Sequence, residues 1–119
     1  MQLPVRFIES YAHKGRIGVL VEFGLETALV ARSDRFESFC LDVAMHIAAA
    51  APADIKALLE QKFVKDPSIT VADLLLRERG HFRERIDILR FVRWDQEADL
   101  TPAAPEPPKR PSVALRVVR

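Results

Sequence analysis

The sequence predicts an α+β domain in which a three-stranded antiparallel sheet carries helices packed on one face. Three observations predict it. Two β-rich runs joined by a glycine-containing turn open the chain, stretches of helical periodicity occupy its middle, and strand-like composition returns before a proline-rich end. A chain of 119 residues with 49% hydrophobic side chains is long enough for one core and short for two, so residues 1–95 are expected to form one domain.

Val5, Phe7, Glu9 and Tyr11 alternate with Arg6, Ile8, Ser10 and Ala12, as they do on a half-buried strand. Ile17, Val19, Val21 and Phe23 share one parity of a second run, and His13-Lys-Gly-Arg16 turns the chain between them, Gly15 supplying a positive φ. Gly18, inside the second strand, is expected to admit a neighbouring backbone or mark a bulge, and Gly24 to end the strand. From Ser33, placed as N-cap, the residues Phe36, Phe39, Cys40, Val43, Ala44 and Ile47 recur at helical spacing, and Pro52 stops the helix. Ala53 to Gln61 reads as a shorter helix, and Asp66-Pro-Ser68 as a turn. Thr70 with Asp73 forms a capping pattern for a third helix running to Gly80. Arg85 to Trp94 is strand-like. Ile86 and Ile88 share one parity and Leu89 and Phe91 the other, which predicts a bulge near Ile88 or burial on both faces. Residues 96–119 contain Thr101-Pro-Ala-Ala-Pro-Glu-Pro-Pro-Lys-Arg-Pro111 and are expected to be a disordered tail, its end at Val113 to Arg119 either fraying or adding a strand to a sheet edge.

Eighteen basic and seventeen acidic residues leave a net charge of +1, so no overall field favours nucleic acid or an anionic membrane, and a protein partner is the expectation. One cysteine excludes an internal disulfide, and no apolar run reaches eighteen residues, from which a cytoplasmic location is read. Cys40 lies on the apolar stripe of the first long helix and reads as an inert buried thiol. His13, His46 and His81 fall on a turn, a helix flank and a helix end, without metal-ligand spacing. Gly15-Arg-Ile-Gly18 lacks the glycines and the Lys-Ser/Thr pair of a phosphate loop and reads as a turn. The arginines at 77, 79, 83, 85, 90 and 93 are interleaved with Glu78, Glu84 and Asp87, so a mixed solvated surface is expected before an RNA-binding one.

The run Glu9-Ser-Tyr-Ala-His-Lys-Gly-Arg-Ile-Gly-Val-Leu-Val-Glu22, followed by Glu26-Thr-Ala-Leu-Val-Ala-Arg32, resembles the core of translation elongation factor Ts. The resemblance continues in order through Asp42-Val-Ala-Met-His-Ile-Ala-Ala49, Leu58-Leu-Glu-Gln61, Phe63-Val-Lys-Asp-Pro-Ser68, Thr70-Val-Ala-Asp-Leu-Leu75 and Ile88-Leu-Arg-Phe-Val-Arg-Trp94. It implies an elongation factor Ts core-like fold and a guanine-nucleotide exchange factor of protein biosynthesis. Such a factor binds elongation factor Tu and promotes GDP release without cofactor, metal or covalent catalysis. It also implies a homodimer, since short family members with one core repeat can pair through their sheets, and Val19 to Phe23 is apolar on both parities.

The resemblance places partner contacts at Glu26, Thr27, Ala28, Leu29, Val30 and Arg32, on a polar loop leading into a helix, where the same residue types also serve solvation and capping. The family pattern Cys-Glu-Thr-Asp-Phe-Val-Ala-Arg becomes Leu25-Glu-Thr-Ala-Leu-Val-Ala-Arg32 here. In the family the phenylalanine wedges between helices of the GTPase domain and disturbs its magnesium and phosphate site, and the aspartate helps to hold it. Losing a buried ring costs on the order of 3 kcal/mol and a charged hydrogen bond about 1.5–3 kcal/mol. The chain also starts almost directly at the core hairpin, where family members carry a small three-helix domain. Between Ala49 and Leu58 it has only Ala50 to Ala57 in place of a long helical excursion. These departures define an alternative, a non-exchanging regulator that sequesters elongation factor Tu.

Overall fold

The computed structural model describes residues 3–97. Residues 98–119, and with them the rest of the expected tail and its end at Val113 to Arg119, lie outside the described residues, whereas Gln96 and Glu97, expected to begin that tail, form a turn in which Gln96 N–H donates to Arg16 O at 2.9 Å. The first strand, β1 (Val5–His13), pairs antiparallel with β2 (Ile17–Leu25) through a tight turn in which Arg16 N–H donates to His13 O at 2.9 Å. Lys14 (φ 53°) and Gly15 (φ 69°) both take the left-handed conformation, the twist that fits two flanking strands. On the other side β2 pairs antiparallel with the last strand, β5 (Ile86–Asp95), giving the order β1-β2-β5 with β2 in the centre. The three-stranded antiparallel sheet is as the sequence predicts. So is its bulge: Glu22 pairs with Arg90 and Phe23 with Ile88, leaving Leu89 as the extra residue.

A one-turn helix, α1 (Ala28–Ala31), links β2 to the long helix α2 (Asp34–Ala50). Ser33 caps α2, its Oγ accepting from Phe36 N–H at 3.3 Å, and Ala51 ends it in the left-handed conformation before Pro52. The apolar stripe of α2 lies on the inner sheet face. Phe36 packs edge-on to Phe7 and Phe23, with ring centroids 5.4 and 5.9 Å away, and Phe39 lies 5.6 Å from Phe23. Then come α3 (Ile55–Glu60), capped by Asp54, the strands β3 (Lys62–Phe63) and β4 (Asp66–Thr70), and α4 (Val71–Phe82). Thr70 and Asp73 make the reciprocal capping box that their spacing predicts, at 3.1 and 3.0 Å.

Several local expectations are corrected. The turn expected at Asp66 to Ser68 lies instead at Val64–Lys65, because Lys62 and Phe63 pair with Thr70 and Asp66 to form a small second sheet. The Asp66 carboxylate still accepts from Ser68 N–H and Oγ, so the local bend is embedded in an irregular strand. Helix α4 passes Gly80 and ends at Arg83, which takes the left-handed cap at φ 57°, while Phe82 packs against the core. Gly18 is neither a bulge nor a close approach, since nothing lies within 4 Å of where its Cβ would be. Gly24 does not end β2, and it is the crowded one: a Cβ there would meet Leu3 Cδ1 at 3.0 Å and Leu89 Cδ1 at 3.1 Å. Gly24→Ala should therefore cost about 1–2 kcal/mol through displacement of these two leucines, and Gly18→Ala should be neutral to slightly stabilising. Urea midpoints at equal slope measure both, and equal effects at the two glycines would refute the packing assignment.

The outer sheet face has three zones. Leu3 and Leu89 cover Gly24 at one end; at the other, Leu20, Val92 and Trp94 are exposed, with Ile8 beside them. Between them stands Glu22, largely covered, its carboxylate accepting from Arg90 Nε at 2.7 Å and lying 3.5 Å from Arg6 Nη1. The Arg90 hydrogen bond, with the charges of Arg90 and Arg6, lowers the Glu22 pKa below its ordinary 4.5. Its contribution to stability is complete above that value and is lost as the pH falls through the lower folded value. On the inner face Glu9 is shifted upward by burial and, secondarily, by the Glu37 charge. Its contribution has the opposite sign, present below 4.5 and lost as the pH rises through the folded value. Glu22→Gln should flatten the acid limb of stability below pH 4.5, and Glu9→Gln should raise stability at pH 7. Denaturant midpoints across pH 3–7 check both, an unchanged acid limb in Glu22→Gln being the contrary result.

Candidate functional site

Helix α1 is where the sequence-predicted contact residues collect, and its position follows from its two ends. Strand β2 delivers the chain at buried Leu25, and Ser33 begins α2, leaving room for a single turn between them. Arg32 N–H donates to Leu29 O at 3.2 Å and Ser33 N–H to Val30 O at 3.0 Å, so the turn closes directly onto the cap of α2. The beginning of α2 is fixed in turn by Arg35, whose Nε and Nη2 each donate to the buried Glu78 carboxylate of α4 at 3.0 Å.

Within this frame the six named residues divide. Ala28 and Leu29 face outward, Leu29 with 74% of its surface exposed at the tip of the turn. Val30 is 5% exposed and belongs to the core, where it anchors α1. Arg32 is exposed and caps the turn through its backbone. Glu26 and Thr27 lie at the surface but are engaged by the loop between α4 and β5: Glu26 Oε2 accepts from Arg85 N–H at 2.8 Å, and Thr27 donates to Glu84 from N–H at 3.2 Å and from Oγ1 at 2.5 Å. The site therefore offers an exposed apolar side chain on a turn anchored at both ends, with Glu26 and Thr27 beside it paired within the chain.

Glu84 is the residue sequence reasoning missed, because its contact spans 57 positions. The one-turn helix was missed too, four residues being too few to show a period. Elsewhere, Arg79 and Arg85 hold Asp87, Arg90 holds Glu22, and Arg93 donates twice to Ala48 O, so these arginines are engaged within the fold. Cys40 is fully buried, and burial together with the charges of Glu9, Glu37 and Glu78 pushes its thiol far up, which keeps it protonated and non-nucleophilic. Among the described residues no three His, Cys, Asp or Glu side chains come together as a metal site, and no helix is long and apolar enough to cross a membrane.

Residues 2–57 match the family model described as elongation factor TS. The chain is 34% identical to elongation factor Ts of Alkaliphilus oremlandii, in an alignment covering 74% of this chain and 62% of the relative. It is 35% identical to that of Carboxydothermus hydrogenoformans, with the same shares. For the factor of Rubrobacter xylanophilus the identity is 34% and the shares are 74% and 69%. The chain thus spans about three fifths of the length of the first of these relatives.

Proposed function

The chain belongs to the elongation factor Ts family, and on that premise we propose that it binds elongation factor Tu and promotes release of GDP in translation elongation. The observation that carries the proposal is Leu29, exposed at the tip of a turn braced on both sides, at the position of the family's wedge residue. An exchange factor must bind the distorted, nucleotide-free GTPase better than the GDP-bound form, and a rigid projecting side chain is suited to that because it fits only where the partner has opened. No covalent step is involved, and the role places the protein in the cytoplasm. Release of a fluorescent GDP analogue from elongation factor Tu, with binding followed by calorimetry on the same samples, tests this. Acceleration is the expected result, and absence of binding would reject the proposal.

One observation favours a second reading. Ala28 carries no charged group and Leu29 is shorter than a ring, so binding without acceleration would make the chain a regulator that holds elongation factor Tu.

The proposal includes a homodimer through the outer sheet face. Leu20 pairs across the sheet with Val92, Trp94 is 75% exposed opposite Gly18, and Ile8 extends the patch on β1. A bare apolar zone on a three-stranded sheet is suited to a copy of itself. Sedimentation equilibrium at micromolar concentration should give a dimer for the wild type and a monomer for Leu20→Asp, and a wild-type monomer would refute it.

A further inference from the structure

We infer that Glu84 is a positioning residue for Leu29: from the α4–β5 loop its carboxylate fixes the direction in which α1 presents the leucine to a partner. This inference rests on the reading of Leu29 as the projecting contact.

A helix of one turn has no stability of its own, so its orientation must come from its surroundings. In α1 the usual local device is missing, since the N-cap residue Thr27 makes no side-chain hydrogen bond to the helix amides. Its hydroxyl points across the fold, and Glu84 grips Thr27 at two atoms, Oγ1 at 2.5 Å and N–H at 3.2 Å. One residue earlier the contact is returned, as Glu26 Oε2 accepts from Arg85 N–H at 2.8 Å. Two crossed contacts between consecutive pairs, 26–27 and 84–85, define an orientation where one would leave a pivot.

Arg83 helps to place the carboxylate. It is a non-glycine residue at φ 57°, and that left-handed conformation turns the chain out of α4 and into the Glu84-Arg85 segment. Such a conformation is retained where neighbouring contacts determine it. On the opposite flank Val30 is held in the core. Leu29 therefore lies between Thr27, fixed by Glu84, and Val30, fixed by burial, and the sidedness of its exposure follows from both.

A surface network serving only stability would contain the same hydrogen bonds, so the test must separate positioning from stability. In the full chain, Glu84→Ala and Thr27→Val should raise hydrogen exchange of the Arg32 and Ser33 amides, which close α1 onto Leu29 O and Val30 O, at least tenfold while α2 core amides stay protected, and Thr27→Ser should behave as wild type. With elongation factor Tu, the same two variants should slow the maximal rate of GDP release five- to fifty-fold. In a Leu29→Ala background Glu84→Ala should have no further effect, because a residue acting through Leu29 has nothing left to position. Unchanged amide exchange in Glu84→Ala overturns the inference, as does lost protection with an unchanged release rate or an additive double variant. If the wild-type chain accelerates nothing, the exchange proposal fails and with it the purpose assigned to Glu84. Retained acceleration with an indifferent Glu84 leaves that proposal standing and removes only this one.

Discussion

Ala28→Asp combined with Leu29→Phe is expected to accelerate GDP release from elongation factor Tu by about two to three powers of ten over the wild-type chain. Both positions are exposed, so neither side chain has to be accommodated inside this protein. The added ring carbons would bury further apolar area in the partner, about 1–2 kcal/mol. The carboxylate would restore a charge-assisted hydrogen bond, about 1.5–3 kcal/mol, and each 1.4 kcal/mol is a factor of ten. Only interaction that is stronger in the open GTPase than in its GDP complex raises the rate, and this is the condition that the longer wedge has to meet under the proposed function. The new carboxylate follows Thr27, whose hydroxyl is bound to Glu84, so it also meets like charge. Ala28→Asp alone should gain less than its hydrogen bond would give without that neighbouring charge. Leu29→Ala should lower both binding and release. Stopped-flow release with calorimetry on each variant measures the series; tighter binding without faster release would show that this surface docks but does not open the partner.

Much of this arrangement is legible in the sequence where the signal is local. The β1–β2 turn follows from Gly15, the start of α2 from Ser33 ahead of its apolar stripe, and the Thr70–Asp73 box from spacing alone. The bulge at Leu89 is visible as a parity change. What fails is set by contacts between distant segments. Gly18 and Gly24 look alike in the chain, and only Leu3 and Leu89 make one of them crowded. Strand β3 is two residues long and pairs across an irregular register that includes Pro67, so neither alternation nor composition marks it. At the site, the segment of exposed Leu29 is recognisable from its neighbours, whereas the brace from Glu84 arises only when the sheet brings β5 beside β2. Periodicity reports which face is buried, and it does not report which polar groups meet.

His46 is the other residue whose role the fold alone reveals, and its replacement has the largest expected effect on stability. It reads as a helix-flank histidine, although its spacing of three from Val43 widens the apolar stripe of α2. In the structure it is fully buried. Nδ1 accepts from Val64 N–H at 3.2 Å, which puts the proton on Nε2, 2.9 Å from Gln61 Oε1. The imidazole thereby ties α2 both to the residue after α3 and to the β3–β4 turn, and Phe63 packs beside it with its ring centroid 6.0 Å away. His46→Ala removes a buried ring and strips partners from Val64 N–H and Gln61. A cavity of this kind costs about 2–4 kcal/mol, and each polar group left dry adds about 1–3 kcal/mol, partly relieved if water enters. A loss of about 3 kcal/mol or more is expected, a large share of the roughly 5–15 kcal/mol that stabilises a domain. His46→Gln, which keeps hydrogen-bonding atoms in the site, should lose less. None of the contacts bracing α1 involves His46, so GDP release scaled to the folded fraction should not change. Urea unfolding with hydrogen exchange at 62–70 checks this: the β3–β4 amides should open first, and a cost below about 1 kcal/mol would mean that the histidine fills space without holding the hairpin.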